Sequence, residues 1–250
     1  PRTIPAGEAL LLVAQGLFKK VVVSSYLATA VVDPVFDVPG THSRGEVLLA
    51  VYGYAIQIYA DFSGYTDIAI GCALLLGFRF PKNFDAPYRA TSLGEFWLRW
   101  HISLSRWIRD YVYVPLGGNR AGPRRTAVNL VAAMILAGLW HGAAWTFLAW
   151  GAVHGLALVA ERAISQRARP ERAPTAASRL ARSAAARWFI TFHIVCLGWI
   201  LFRADSLGRA GDLLANLARG GAAAGRPSPA VGGVGVWSLM GRRSRRGLNH

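Results

Sequence analysis

Six histidines are spread along the 250 residues, and two of them stand where an imidazole could do chemistry. His141 lies in Gly138-Leu139-Trp140-His141-Gly142, inside an apolar segment and flanked by glycines. A neutral imidazole in such a setting can take a proton from a hydroxyl as general base. It can equally be a hydrogen-bonded structural histidine between helices. His101 lies in Trp97-Leu98-Arg99-Trp100-His101-Ile102-Ser103-Leu104-Ser105, an aromatic and amphipathic run, where its plain reading is an interfacial histidine. His154 follows His141 by 13 residues. That is about 220° around a continuous helix, so the two share no face unless the chain breaks between them. His193 reads as a core histidine, while His42 and His250 lie in polar segments. Asp61, Ser63 and Asp67 interrupt a long apolar stretch. Carboxylates there are costly and face a protein interior or a watery cavity, or else serve structurally by pairing with an arginine of another helix.

The elements that must position these groups are apolar runs of awkward length. Ala9 to Phe36 is interrupted by Lys19 and Lys20, and neither half reaches the roughly 20 residues of a span. This pattern favours an interfacial amphipathic helix over a span with snorkelling lysines. Gly45 to Phe80 is too long for one ordinary span and too short for two. At 100° per residue, Gln57, Asp61 and Tyr65 share one helix face, and Ser63 and Asp67 another. Ser92 and Glu95 form a capping-box pair that opens an aromatic helix. On that helix Trp100, Leu104, Trp107 and Tyr111 are expected on one face, and Arg106 is expected to pair with Asp110. Thr126 to Glu161 is apolar between basic flanks, which predicts two crossings joined by a break near Gly138 or Gly142. Glu161 to Arg187 is a basic loop, Trp188 to Phe202 a short apolar segment, and residues from Ser206 onward a low-complexity basic tail.

A net charge of +15 would ordinarily suggest nucleic acid or an anionic surface. Only 16% of residues are charged and 53% are hydrophobic, with a mean hydropathy of +0.31. The cations are therefore segregated into loops, as in a membrane protein with basic connections. No nucleic-acid module, Walker loop, nucleophile elbow, dinucleotide fingerprint or metal-ligand spacing is present. Cys72 and Cys196 both sit in apolar runs and read as buried, inert thiols. The fold class expected is all-α: a polytopic membrane protein of short, tilted and broken helices with interfacial amphipathic helices.

Four pieces in order resemble the membrane-bound O-acyltransferase family, in its bacterial alginate O-acetyltransferase branch. They are Gly16-Leu17-Phe18-Lys19-Lys20-Val21-Val22, Tyr59-Ala60-Asp61-Phe62-Ser63-Gly64-Tyr65-Thr66-Asp67, Glu95-Phe96-Trp97 through Ser105 with Arg109-Asp110-Tyr111, and Gly138 through Gly142. The resemblance runs from about Leu10 to Ala204. It implies that residues 1–205 are the C-terminal portion of that membrane domain and 206–250 a basic tail. It implies an enzyme that moves an acyl group onto a hydroxyl, with His141 as the essential histidine and His101 orienting the donor or stabilising developing charge. Asp61, Ser63, Asp67, Trp100 and Trp140 become candidates for lining the tunnel. Implied too are no bound cofactor or metal and a donor such as acetyl-CoA or another acyl thioester. Membrane lipid, a polysaccharide acceptor and periplasmic or extracellular acetyltransferase partner proteins are the implied partners, nucleic acid is not, and the setting is multi-pass in a bacterial cytoplasmic (inner) membrane. Acceptors other than alginate (peptidoglycan, cellulose, teichoic acid D-alanylation) stay open. So does the competing class of transporter or channel subunit, which the carboxylates would suit. Starting at Pro1 and about half as long as the full-length members, the chain is expected to be an N-terminally truncated fragment.

Overall fold

A computed structural model describes residues 5–167 and 183–219, and among these every regular element is helical. The first element, α1, runs from Ala6 to Asp37 without interruption, widening to π-type turns at Phe18–Ser24 and Ala28–Val32. Among the described residues it is one of three helices long and apolar enough to cross a membrane, the others being Trp145–Gln166 and Ala184–Arg203. The expected interfacial helix is thereby replaced by one long helix. The reason lies in its partner, α2 (Arg44–Leu75). Lys19 Nζ meets Asp67 Oδ2 at 2.6 Å, and Lys20 Nζ meets Asp61 Oδ1 at 2.6 Å. With each ammonium neutralised by a neighbouring carboxylate, the lysines no longer force the helix to end.

α2 resolves the awkward length of Gly45 to Phe80 as a single helix of 32 residues. At 1.5 Å per residue it is about 48 Å long, well beyond a ~30 Å hydrocarbon core. It opens with a complete capping box that sequence reading passed over. Ser43 Oγ accepts from the Glu46 N–H, and the Glu46 carboxylate accepts from the Ser43 N–H at 2.8 Å. The helix ends where Gly77, at φ +83°, lets the Phe78 N–H reach back to the Ala73 carbonyl. α1 and α2 approach closely along small residues. A Cβ on Gly64 would lie 2.7 Å from the Gly16 carbonyl oxygen, and one on Gly71 would lie 2.6 Å from that of Ala9. Backbones at that range exchange many weak dispersion contacts, which is how helices associate without a hydrophobic driving force.

Two short helices follow, α3 (Leu93–Arg99) and α4 (Ile102–Ile108), then a π-type turn over Arg109–Tyr113. α5 (Gly122–His141) and α6 (Trp145–Arg167) form the broken hairpin expected from the basic flanks, with the break at Gly142. α7 (Ala184–Arg203) is capped by Ser183, whose Oγ accepts from the Ala186 N–H. α8 (Leu207–Arg219) lies in the region expected to be a low-complexity basic tail. Its amphipathic spacing buries Ala210, Leu213 and Asn216, and Asn216 Nδ2 donates to the His42 carbonyl at 2.7 Å. The rest of the expected tail, and most of the basic loop, fall outside the described residues.

The core is aromatic. Trp100, Trp150, Trp199 and Phe96 interlock between α3, α6 and α7, with ring centroids 5.0–6.4 Å apart. Large apolar side chains such as Leu10, Phe18, Val21 and Tyr26 remain exposed along α1. Of the two free cysteines, Cys196 is buried, but Cys72 is exposed rather than buried as expected. An apolar run with lipid on one side hides only part of its residues from the surface, so hydropathy alone misplaced this thiol.

Candidate active site

The aromatic run expected to form one helix bends in its middle. His101 adopts φ 45°, ψ 56°, the left-handed region, and divides α3 from α4. For a residue with a Cβ this conformation costs about 1 kcal/mol, though histidine tolerates it better than most. The cost is offset from outside. The Ile102 N–H donates to the Asn83 carbonyl at 3.0 Å, and the Asp85 N–H donates to the Arg99 carbonyl at 3.0 Å. Asn83 Oδ1 accepts from both the N–H and the hydroxyl of Ser103 at 3.0 Å.

The bend also redistributes the side chains. Trp100 turns into the core, while Trp107 and Tyr111 stay exposed and pack on each other at 5.5 Å. The single expected face therefore does not exist. Asp110 pairs with Arg109 at 2.7 Å and not with Arg106, because the wider π-type turn disrupts the four-residue spacing.

α3 runs antiparallel to α6 and is fastened at three levels, the first two to α6 and the last to α7. At its start, the Leu93 and Gly94 N–H groups donate to the Glu161 carboxylate at 2.6 and 3.2 Å. Midway, the Trp97 ring lies 5.3 Å from His154 and 5.6 Å from Trp150. At its end, Trp100 packs on Trp199 at 5.0 Å. The Ser92 cap is present, its Oγ accepting from the Glu95 N–H. The box is only half closed, since the Glu95 carboxylate turns to the Thr91 N–H and to Arg99. Those contacts hold the Glu95 carboxyl below its ordinary pKa, the Thr91 hydrogen bond contributing most. α4 returns along α5, with Ile108 against Ala133 and Ala137.

The result is two helical hairpins whose bends meet. One bend carries His101; the other follows His141. Both imidazoles line a cavity of about 130 Å³, walled by Trp97, Trp100, Trp150 and Trp199. The Trp140 indole bridges the two histidines, 5.8 Å from the His101 ring and 4.9 Å from that of His141. Phe62 of α2 closes on His101 at 4.6 Å and Phe202 of α7 on His141 at 4.8 Å. Among the described residues neither imidazole makes a side-chain hydrogen bond, so the ring nitrogens are uncommitted. Among the same residues, no three His, Cys, Asp or Glu side chains gather as a metal-binding group.

Trp100 thus lines the cavity, and Trp140 flanks it with its outer side exposed. Asp61, Ser63 and Asp67 do not line it. Asp61 and Asp67 are tied to the α1 lysines, and Ser63 is buried with its hydroxyl unpartnered. The alternative of structural pairing describes these carboxylates, with lysine in place of the arginine expected. Their offset arises because the faces of α2 they occupy are turned to α1, away from the hairpins.

Ser105, Asn83 and Glu161 escaped sequence reading. Ser105 lines the cavity and donates to the Trp100 carbonyl at 3.1 Å. Asn83 and Glu161 act from segments 18 and 60 residues away from His101, and no local pattern announces them. His154 is fully buried against Trp97 and Trp150, both its nitrogens unpartnered, where Gly198 of α7 leaves it room. The chain does break between His141 and His154, but Trp150 stands between their rings.

A family model described as MBOAT, membrane-bound O-acyltransferase family, matches residues 8–202. A probable alginate O-acetylase AlgI of Pseudomonas aeruginosa (strain PAO1) is 47% identical over 193 residues, covering 77% of this chain and 35% of the relative. The peptidoglycan O-acetyltransferase of Helicobacter pylori (strain 26695) is 40% identical over 198 residues, 79% of this chain and 36% of the relative. The teichoic acid D-alanyltransferase of Bacillus subtilis (strain 168) is 32% identical over 168 residues, 62% of this chain and 40% of the relative. The chain thus spans well under half the length of the curated relatives it matches.

Proposed function

Because the chain belongs to the membrane-bound O-acyltransferase family, a family of membrane proteins, we propose that it carries the acyl-transfer site of an enzyme that acylates hydroxyls of a cell-envelope polysaccharide. The observation that carries this reading is the meeting of His101 and His141 at one aromatic cavity, between the bends of two hairpins. His141 takes the proton of an acceptor hydroxyl as its oxygen attacks the carbonyl of an acyl thioester. The tetrahedral intermediate collapses, the C–S bond breaks, and the thiolate leaves with a proton from the histidine. His101 faces the same space and donates to the developing oxyanion.

Acetyl-CoA or a similar thioester is the donor in this reading. An alginate-like exopolysaccharide is the favoured acceptor, since alginate O-acetylases are among the most similar relatives. Periplasmic or extracellular acetyltransferases would be partners where the acyl group must travel onward. The reading includes a multi-pass setting in the bacterial inner membrane, supported by the apolar helices and by the basic residues Arg124, Arg125 and Arg162 at one end of the α5–α6 hairpin. A transporter reading loses its main support, because Asp61 and Asp67 are each neutralised by a lysine.

The test uses membranes containing the protein and radiolabelled acetyl-CoA, with transfer to polysaccharide as the readout. His141→Ala is expected to lower transfer by about 10²- to 10⁴-fold, the usual worth of a positioned base. Unchanged transfer at equal protein level would overturn the assignment.

A further inference from the structure

We propose that Asn83 is a positioning residue for His101, an inference that rests on reading His101 as part of the acyl-transfer site. The residue that begins a helix ordinarily turns its own side chain back to satisfy the free N–H groups of the first turn. His101 occupies that place before α4 and makes no such bond. Its imidazole could not do so and face the cavity at once. Asn83, from the connection between α2 and α3, supplies the missing acceptors. Its carbonyl takes the Ile102 N–H, and its side-chain oxygen takes both the N–H and the hydroxyl of Ser103. The neighbouring Phe84 ring then wedges against Trp100 at 5.0 Å and Phe62 at 5.1 Å, the latter being the ring that covers His101. One short segment thereby holds both sides of a left-handed bend that the His101 backbone does not favour alone. The division of labour is simple: Asn83 caps the helix so that His101 need not.

Two measurements on the whole protein in membranes test this. The first reads the reactivity of each histidine to diethyl pyrocarbonate by mass spectrometry. Asn83→Ala is expected to raise the rate at His101 several-fold while His141, His154 and His193 keep theirs. Asn83→Asp, which retains the acceptor oxygen, should restore the slow rate. An unchanged His101 rate, or a parallel rise at every histidine, would overturn the proposal. The second follows transfer from radiolabelled acetyl-CoA. Asn83→Ala is expected to lower kcat about 10- to 100-fold with KM for acetyl-CoA within twofold, as a displaced group does. Asn83→Asp should recover most of it, and an alanine variant with wild-type kcat would overturn the proposal. Should the unsubstituted protein transfer nothing, the acyl-transfer reading falls, whereas the labelling pattern still decides for or against Asn83.

Discussion

The two hairpins that bring His101 and His141 together are held by different physics. α5 and α6 touch backbone to backbone: a Cβ on Gly151 would lie 2.8 Å from the Ile135 Cα, and one on Gly155 equally near that of Val131. At the turn, Phe147 fills the space beside Gly142, where a Cβ would sit 2.9 Å from its ring. α3 and α4 have no glycine at their bend. They are held by polar groups reaching in from elsewhere, Asn83 at the bend and Glu161 at the base, and by aromatic rings on their faces. The first hairpin is specified by the smallness of its own residues, the second by partners far away in sequence. The difference teaches where each can be damaged: one through steric volume, the other through lost hydrogen bonds.

Three changes probe that contrast. Gly151→Val strikes the backbone-packed seam, where neither Met134 nor Ile135 can yield without moving α5. A loss of about 3 kcal/mol is expected, at the upper end of overpacking costs, read as a lower Tm of the detergent-solubilised protein. A wild-type Tm would show that the seam has slack. His101→Gly separates the bend from the imidazole it carries. Glycine adopts the left-handed backbone freely, and the strain relieved roughly balances its greater entropy in the unfolded chain. Transfer should therefore fall about 100-fold, close to 2.7 kcal/mol in the barrier, while Tm falls only by what the lost packing of the imidazole against Phe62 costs. Retained transfer would remove the imidazole from the chemistry.

The smallest effect concerns the base of α3. Glu95 binds the Thr91 N–H and Arg99 as a carboxylate, and its pKa is depressed below the ordinary 4.5. A depressed carboxyl stabilises the fold above its unfolded pKa, and that contribution is lost as pH falls through the folded value. Between pH 5 and 3 the Tm of Glu95→Gln is expected to be flatter than that of the unsubstituted protein. Parallel curves would mean that the α3 base does not depend on this charge.

Much of this was legible from residues near one another in the chain. The Ser92 cap placed the start of α3, and the glycines beside His141 located the break between α5 and α6 near where it occurs. The four motifs named the family that the match over residues 8–202 establishes. Such signals are local: a cap, a hydropathy run or a turn needs only a handful of successive residues. Lys19 and Lys20 mark the limit of that reading. By themselves they argued for an interfacial helix; beside Asp67 and Asp61 of α2 they belong to a long continuous one.

The sequence by itself, then, determined the helical class, the hairpin carrying His141 and the pair of histidines worth following. The tertiary structure alone decided that α2 turns Asp61 and Asp67 toward α1, that Trp100 and Trp107 part company, and that the chain bends at His101. Each of these depends on a partner 18 to 48 residues away. The free energy of a charge, a cap or a left-handed residue is set by what lies against it in space, and a periodicity of 3.6 carries no record of that.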